Sequence, residues 1–135
     1  VPVAVFVRPT SNRARLEGLG VEFLVGDVDD EASVAAAFGG RRFDVVVSAI
    51  ARTDNDTPTN GVTIYATGND RITAAARAAG VTQLVQVGTV GAGDSARLVP
   101  PKIYEFARQV FEDKTRAERT LMASGLRYTI VRTGI

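Results

Sequence analysis

Four side chains stand where they could do chemistry. Arg8 follows the apolar run Val3-Ala4-Val5-Phe6-Val7. It can hold a phosphate, helped by Thr10, Ser11 and Arg13 at the start of a helical segment. A solvated arginine is the commoner outcome over all strand ends, and only the surrounding pattern favours the phosphate. Asp27 follows the run 21–25. Its carboxylate can accept from a base amino group, with Val28 against the ring, or it can serve as a turn residue or helix cap. Thr89 follows Leu84-Val85-Gln86-Val87 and Gly88. A flat ring could lie against that small strand end, or the glycine could simply allow a tight turn out of a buried strand. These two readings of 84–95 (LVQVGTVGAGDS) are level. Lys114 can reach a ribose hydroxyl, but its spacing to Glu118 favours an exposed i,i+4 pair.

The elements that must position these groups alternate. Strands are predicted over 3–7, 21–25, 44–49, 84–87 and 128–131, most of them β-branched and without polar alternation, as in strands buried on both faces. Helices are predicted over 13–19, 31–38, 63–79 and 102–124. Gly20, Gly39-Gly40, Gly80 and Gly125 stand at their ends as stop signals. A polar loop occupies 52–60. Five alternations predict an α/β fold: a parallel sheet with helices on both faces. The strand ends then lie along one edge, where such folds bind ligands. They are built from small, polar or charged groups such as Arg8, Asp27, Ala49-Ile50, Gly88-Thr89 and Arg132. In a dinucleotide fold an arginine at the position of Arg8 accommodates the 2′-phosphate of NADP, where an acidic residue would bond the 2′-hydroxyl of NAD.

Composition narrows the chemistry. The chain has 135 residues, which suits one domain over 1–135. Cysteine and histidine are both absent, which excludes disulfides, thiol nucleophiles, imidazole acid–base catalysis and the common zinc sites. A net charge of +1 gives no argument for a nucleic-acid or membrane partner. No apolar run approaches the ~20 residues of a membrane span, and no signal peptide is visible, so a cytoplasmic location is expected.

Four segments carry a resemblance: VAVFVRPTSNRARLEGLGVEFLVGDVDDEASVAAAF, DVVVSAIA, GNDRITAAARAAGVTQLVQVGTVGAGDS and DKTRAERTLMASGLRYTIVRTG. Together they resemble the atypical short-chain dehydrogenase/reductase group, specifically the NmrA-like NAD(P)H-binding proteins. The block from Lys114 to Arg132 is the strongest. The resemblance implies a Rossmann-like, three-layer sheet and NADP as cofactor, with NAD the lesser alternative. It also implies cofactor contacts at Arg8, Asp27, Val28, Ala49, Ile50, Gly88, Thr89 and Lys114, with Thr89 beside the nicotinamide and Lys114 as the active-site lysine; Thr10, beside Arg8, is counted with the cofactor contacts from its place in the anion site. The chain departs from the family at three places. No G-x-x-G-x-x-G turn opens a helix, and the family's first strand and helix have no counterpart. The tyrosine of a Y-x-x-x-K pair would fall at Val110. Arg132-Thr133-Gly134 stands for the usual R-P-G.

In the order 3-2-1-4-5-6 the first strand is central. Its absence should part strand 3–7 from strand 44–49 and leave two apolar edges. The chain then reads as a fragment of a longer protein; direct pairing of the two strands, or a strand from another chain, are the alternatives. Without the glycine-rich turn, NADPH binding by this piece is expected to be weak or absent; micromolar affinity in a fluorescence titration would overturn that. The expected function is the NADP(H)-binding domain of an oxidoreductase acting on a small carbonyl or conjugated substrate. Thr89 and Lys114 are its catalytic candidates, and the proton donor is undefined. A non-catalytic NADP(H)-sensing regulator comes next, then an assembly factor. A homo-oligomer or a partner protein would suit the sensor reading.

Overall fold

The computed structural model describes residues 1–51 and 63–134. The expected polar loop at 52–60 lies outside them. In chain order the elements are β1 (Ala4–Val7), β2 (Glu22–Val25), α1 (Glu31–Phe38), β3 (Val45–Ser48), α2 (Ile64–Ala78) and β4 (Gln83–Thr89). A 3-10 turn (Gly93–Leu98), α3 (Pro101–Phe106), α4 (Arg108–Ala123) and β5 (Arg127–Thr133) follow. Every strand pairing is parallel: β1 with β2, β3 with β4, and β4 with β5. The expected Rossmann-like α/β architecture, a parallel sheet with helices, is present.

The core explains the packing. Leu84 of β4, Ala76 of α2, Leu121 of α4 and Val81 are buried together, with Val46 and Ile130 from the flanking strands against them. One face of the β3–β4–β5 sheet is thus covered by α2 and α4. Residues of opposite parity, Val45, Val47 and Val131, are 50%, 63% and 45% exposed. Side chains alternate across a strand, so these valines mark the face turned away from α2 and α4.

β1–β2 and β3–β4–β5 form two separate sheets. The expectation that β1 and β3 are parted is met, and direct pairing between them does not occur. A cleft of about 430 Å³ runs between them, lined by Val5 and Phe6 on one side and Val47 and Ala49 on the other.

Three expectations are corrected. Segment 13–19 is a run of turns, not a helix. Asn12 caps its start by accepting from the Ala14 N–H (2.9 Å), but Gly18 and Gly20 follow with φ of +81° and +68°. A right-handed helix cannot continue through that conformation. The helix over 102–124 is broken at Ala107 (φ −109°, ψ 19°) into α3 and α4. Tyr104 and Phe111 stack across the break with centroids 5.2 Å apart. In a straight helix seven residues span about 10 Å along the axis, so the bend is what lets these rings meet. Finally, β4 runs two residues beyond the predicted end, because Gly88 and Thr89 pair with Arg132 and Thr133.

Gly26, after β2, is the tightest backbone approach on the β1–β2 side. A Cβ there would meet the Ser33 hydroxyl and lie 2.6 Å from the Phe6 ring. Gly26→Ala is expected to lower the unfolding free energy by about 1–3 kcal/mol, the usual cost of overpacking. Urea unfolding checks this; an unchanged midpoint would contradict it.

Candidate functional site

At the carboxyl ends of β1, β2 and β3 a crevice of about 260 Å³ is lined by Phe6, Arg8, Ser11, Val28, Ile50 and Ile64 among others. Its lining is mostly apolar, with Arg8 and Ser11 among it. A flat base against the apolar walls, with a phosphate by the cation, fits that lining. The fold makes each contribution for a local reason. Arg8 leaves β1 in a tight turn: its N–H donates to Ser11 Oγ (3.1 Å), and the Ser11 N–H donates to its carbonyl (3.0 Å). Val28 is held by Arg71 of α2, which donates to its carbonyl at 2.8 Å. Ile50 and Val28 both press on Gly68 of α2, where a Cβ would lie 3.0 and 3.2 Å from them. Only a residue without a side chain lets α2 approach that closely.

The other predicted adenosine-side residues lie nearby in different roles. Asp27 is half-buried and already engaged. Its Oδ1 accepts from the Asp29 N–H (3.0 Å), its own N–H donates to Ser33 Oγ (2.9 Å), and its carbonyl accepts from the Asp30 N–H (3.1 Å). Helix capping is done by Asp30, which accepts from the Ala32 N–H at 3.1 Å. Thr10 is exposed, beside the crevice. Ala49 lines the cleft between the sheets rather than the crevice.

The second half of the site is the end of β4. Gly88 is buried, and Thr89 is half-buried with its hydroxyl donating to the Val90 carbonyl at 3.2 Å. Beneath them lies a buried carboxylate, Glu118 of α4, 1% exposed. Arg132 of β5 grips it with two bonds, Nε to Oε1 (3.0 Å) and Nη2 to Oε2 (2.8 Å), and also pairs with Asp94 in the following loop. Arg132 is held yet more firmly protonated by these partners, and Asp94 is held below the ordinary carboxylate range by its bond to Arg132. A Cβ on Gly88 would lie 3.2 Å from Glu118 Oε1, and one on Gly93 would lie 2.7 Å from Oε2. Gly91 sits on Phe111, and the Gly93 N–H donates to Thr115 Oγ1 at 2.8 Å. The glycines are there because α4 packs directly under the loop.

Lys114 does not form the expected exposed pair with Glu118, whose carboxylate is taken by Arg132. It is half-buried, and its Nζ lies 4.5 Å from the centroid of the Tyr65 ring on α2. Burial pushes its pKa below the ordinary lysine value, and the charge of Glu118 opposes that shift. Its neighbours on α4, Phe111 and Thr115, hold the 91–93 loop, while Ile64, next to Tyr65, lines the Arg8 crevice. Lys114 therefore stands between the two halves. Tyr104 is stacked on Phe111 with Arg108 over its ring.

Sequence reasoning missed Tyr65 and Arg71, and it named Glu118 and Arg132 without seeing that they pair. The opposite charges of Glu118 and Arg132 were the available signal. Tyr65 and Arg71 act across elements and gave none.

Comparison with known proteins fits this geometry. A family described as NAD(P)H-binding matches residues 1–135. No curated protein matches the chain. Among solved structures, the anaerobillin reductase ChuY from Escherichia coli O157:H7 is 26% identical, with a TM-score of 0.79 over 97% of this chain and 59% of its own. ChuY from E. coli strain CFT073 is 29% identical, with a TM-score of 0.76 over 99% of this chain and 60% of its own. An NADPH-dependent quinone oxidoreductase from E. coli, complexed with NADPH, shares the fold at 22% identity and a TM-score of 0.67, over 98% of this chain and 41% of its own. The chain thus spans about three-fifths of the ChuY length. Among the described residues no helix is long and apolar enough to cross a membrane.

Two outcomes follow from the charges. Arg132→Met strands a buried carboxylate and should cost about 3–5 kcal/mol in urea unfolding. Arg108→Met, which removes exposed pairs with Glu105 and Glu112, should leave the unfolding midpoint nearly unchanged. Equal losses would refute the assignment. Lys114 has a folded-state pKa below its unfolded one, so between the two values the unfolded chain binds the extra proton and stability rises with pH. The stability difference between wild type and Lys114→Met should therefore shift in favour of wild type as pH rises towards the ordinary lysine value of 10.5. A difference constant from neutral pH to that point would contradict this.

Proposed function

The chain belongs to the NAD(P)H-binding family, and from that premise we propose that it is the nucleotide-binding part of an NADPH-dependent reductase. The observation that carries the reading is Arg8 in the wall of the crevice at the end of β1, beside an apolar slot of Val28, Ile50 and Ile64. Arg8 would hold the 2′-phosphate that distinguishes NADP from NAD, and Val28 with Ile50 would flank the adenine. Lys114 would donate to the nicotinamide-side ribose, and Gly88-Thr89 would form the backbone wall by the ring. A bound NADPH would supply the hydride; the protein's part is to bind, orient and exclude water. The proposed substrate is a small carbonyl or conjugated compound; what supports a reductase is the likeness to ChuY, an anaerobillin reductase. A place among the NmrA-like short-chain dehydrogenase/reductases and a cytoplasmic location accompany this reading.

A second reading is a non-catalytic NADP(H) sensor that changes its contacts with a partner protein or a second copy. One observation favours it: Val110, not tyrosine, stands four residues before Lys114. Oxidation of NADPH with a quinone and aldehyde panel separates the two, since a sensor turns over none of them.

NMR titration of the chain with NADPH and NADH, up to millimolar, tests the cofactor assignment. NADPH is expected to bind more tightly. Arg8→Ala should weaken NADPH roughly tenfold, the order of one charge-assisted contact, and leave NADH nearly unchanged. Equal loss for both nucleotides, or none, would remove Arg8 from the 2′-phosphate role.

A further inference from the structure

We infer that Tyr65 is the residue that positions Lys114 in the candidate site, by presenting its ring face to the ammonium from α2. The identity of the ligand rests on the nucleotide-binding reading above; the geometry does not. The Lys114 Nζ lies 4.5 Å from the ring centroid, inside the range where a cation is attracted by the negative face of an aromatic ring. A ring holds the ammonium without neutralising it. The three N–H donors therefore stay available for hydroxyl oxygens, which a carboxylate partner would compete for.

The surroundings keep this contact in register. Asp113, next to Lys114 on α4, accepts from the backbone N–H of Thr63 at 2.8 Å, and Thr63 caps the start of the helix that carries Tyr65. One turn of α4 thus fixes both the lysine and the helix end that supplies the ring. Asn69 ties that end to the sheet: its amide donates to the Tyr65 carbonyl at 2.7 Å, and its Oδ1 accepts from Ser48 of β3 at 2.6 Å. Among the described residues, Glu118 is bonded by Arg132, and Asp113 by Thr63 and Gln109. The aromatic face orders a long, flexible side chain, and ordering it before a ligand arrives reduces the entropy lost on binding. Tyr65 lies on α2, so no spacing along α4 announces it. Ile64, the residue before Tyr65, lines the Arg8 crevice.

The chain has two lysines, Lys102 and Lys114, which makes the test direct. Dimethylation with ¹³C keeps the charge and gives one lysine signal for each. In the wild type the Lys114 methyls should lie upfield of those of exposed Lys102, because they sit over a ring. Tyr65→Phe should retain the upfield position, and Tyr65→Leu should move it to that of Lys102. In the unmodified chain Tyr65→Leu should weaken NADPH roughly two- to fivefold, the range of an exposed to half-buried cation–π contact, while Tyr65→Phe stays near wild type. A Lys114 signal coincident with Lys102 in the wild type overturns the inference, as does one unmoved in Tyr65→Leu. Should Tyr65→Leu fail to fold, the wild-type and Tyr65→Phe positions still decide. An upfield Lys114 that no nucleotide perturbs would leave the contact standing and remove the nucleotide reading instead.

Discussion

Glu118 is fully buried against the end of β4, and its carboxylate is closed by two bonds from Arg132. A buried carboxylate without a partner is costly, so α4, β5 and the loop after β4 hold their relation to one another through this pair. Arg132 reaches Asp94 as well, which fastens the loop to the strand beside it. The glycines at 88, 91 and 93 follow from the same constraint. Each would place a Cβ against Glu118 or Phe111, so the small-residue character of the loop reflects what lies under it as much as what binds over it. Replacing the pair by apolar groups of similar volume would preserve burial but lose the link to Asp94. The loop wall near Thr89 would then depend on backbone pairing with β5 and on the Gly93–Thr115 bond.

Much of the fold was legible because its signals are local. β-branched runs without polar alternation gave all five strands, and the glycines at 20, 39–40, 80 and 125 marked the ends of segments. Segment 13–19 misled because Arg13 to Glu17, read singly, favour helix and outweighed Gly18, whose positive φ, like that of Gly20, is settled only in the folded chain. The break at Ala107 was hidden for a similar reason. Alanine is a good helix former, and what accompanies the bend is a ring stack between Tyr104 and Phe111, seven residues apart.

The site was legible by position and less so by chemistry. Strand ends placed Arg8, Val28 and Ile50 on one crevice, and the structure brings those three together. Asp27 shows the limit: an acidic residue after a strand suits a base amino group or a turn equally, and here its Oδ1 is spent on the turn. Lys114 shows it differently. Spacing to Glu118 suggested a surface pair, but Glu118 is claimed by a cation 14 residues further on, which leaves the lysine to an aromatic ring on another helix. Such reassignments are set by packing between elements, which a one-dimensional pattern does not encode.

The two halves of the site differ in how firmly they are held. The β4 end is built on the buried cluster of Ala76, Val81, Leu84 and Leu121. The Arg8 end stands on β1 and β2, whose residues are all half-buried or exposed. It is joined to the rest through α2, by the bond from Arg71 to the Val28 carbonyl and by the contact of Gly68 with Val28 and Ile50. Local stability follows buried apolar contact, so the Arg8 half should open more easily than the β4 half. A ligand touching both halves would draw its affinity partly from closing that difference, and α2, which carries Ile64, Tyr65, Gly68 and Arg71, is the element through which the closure would be felt.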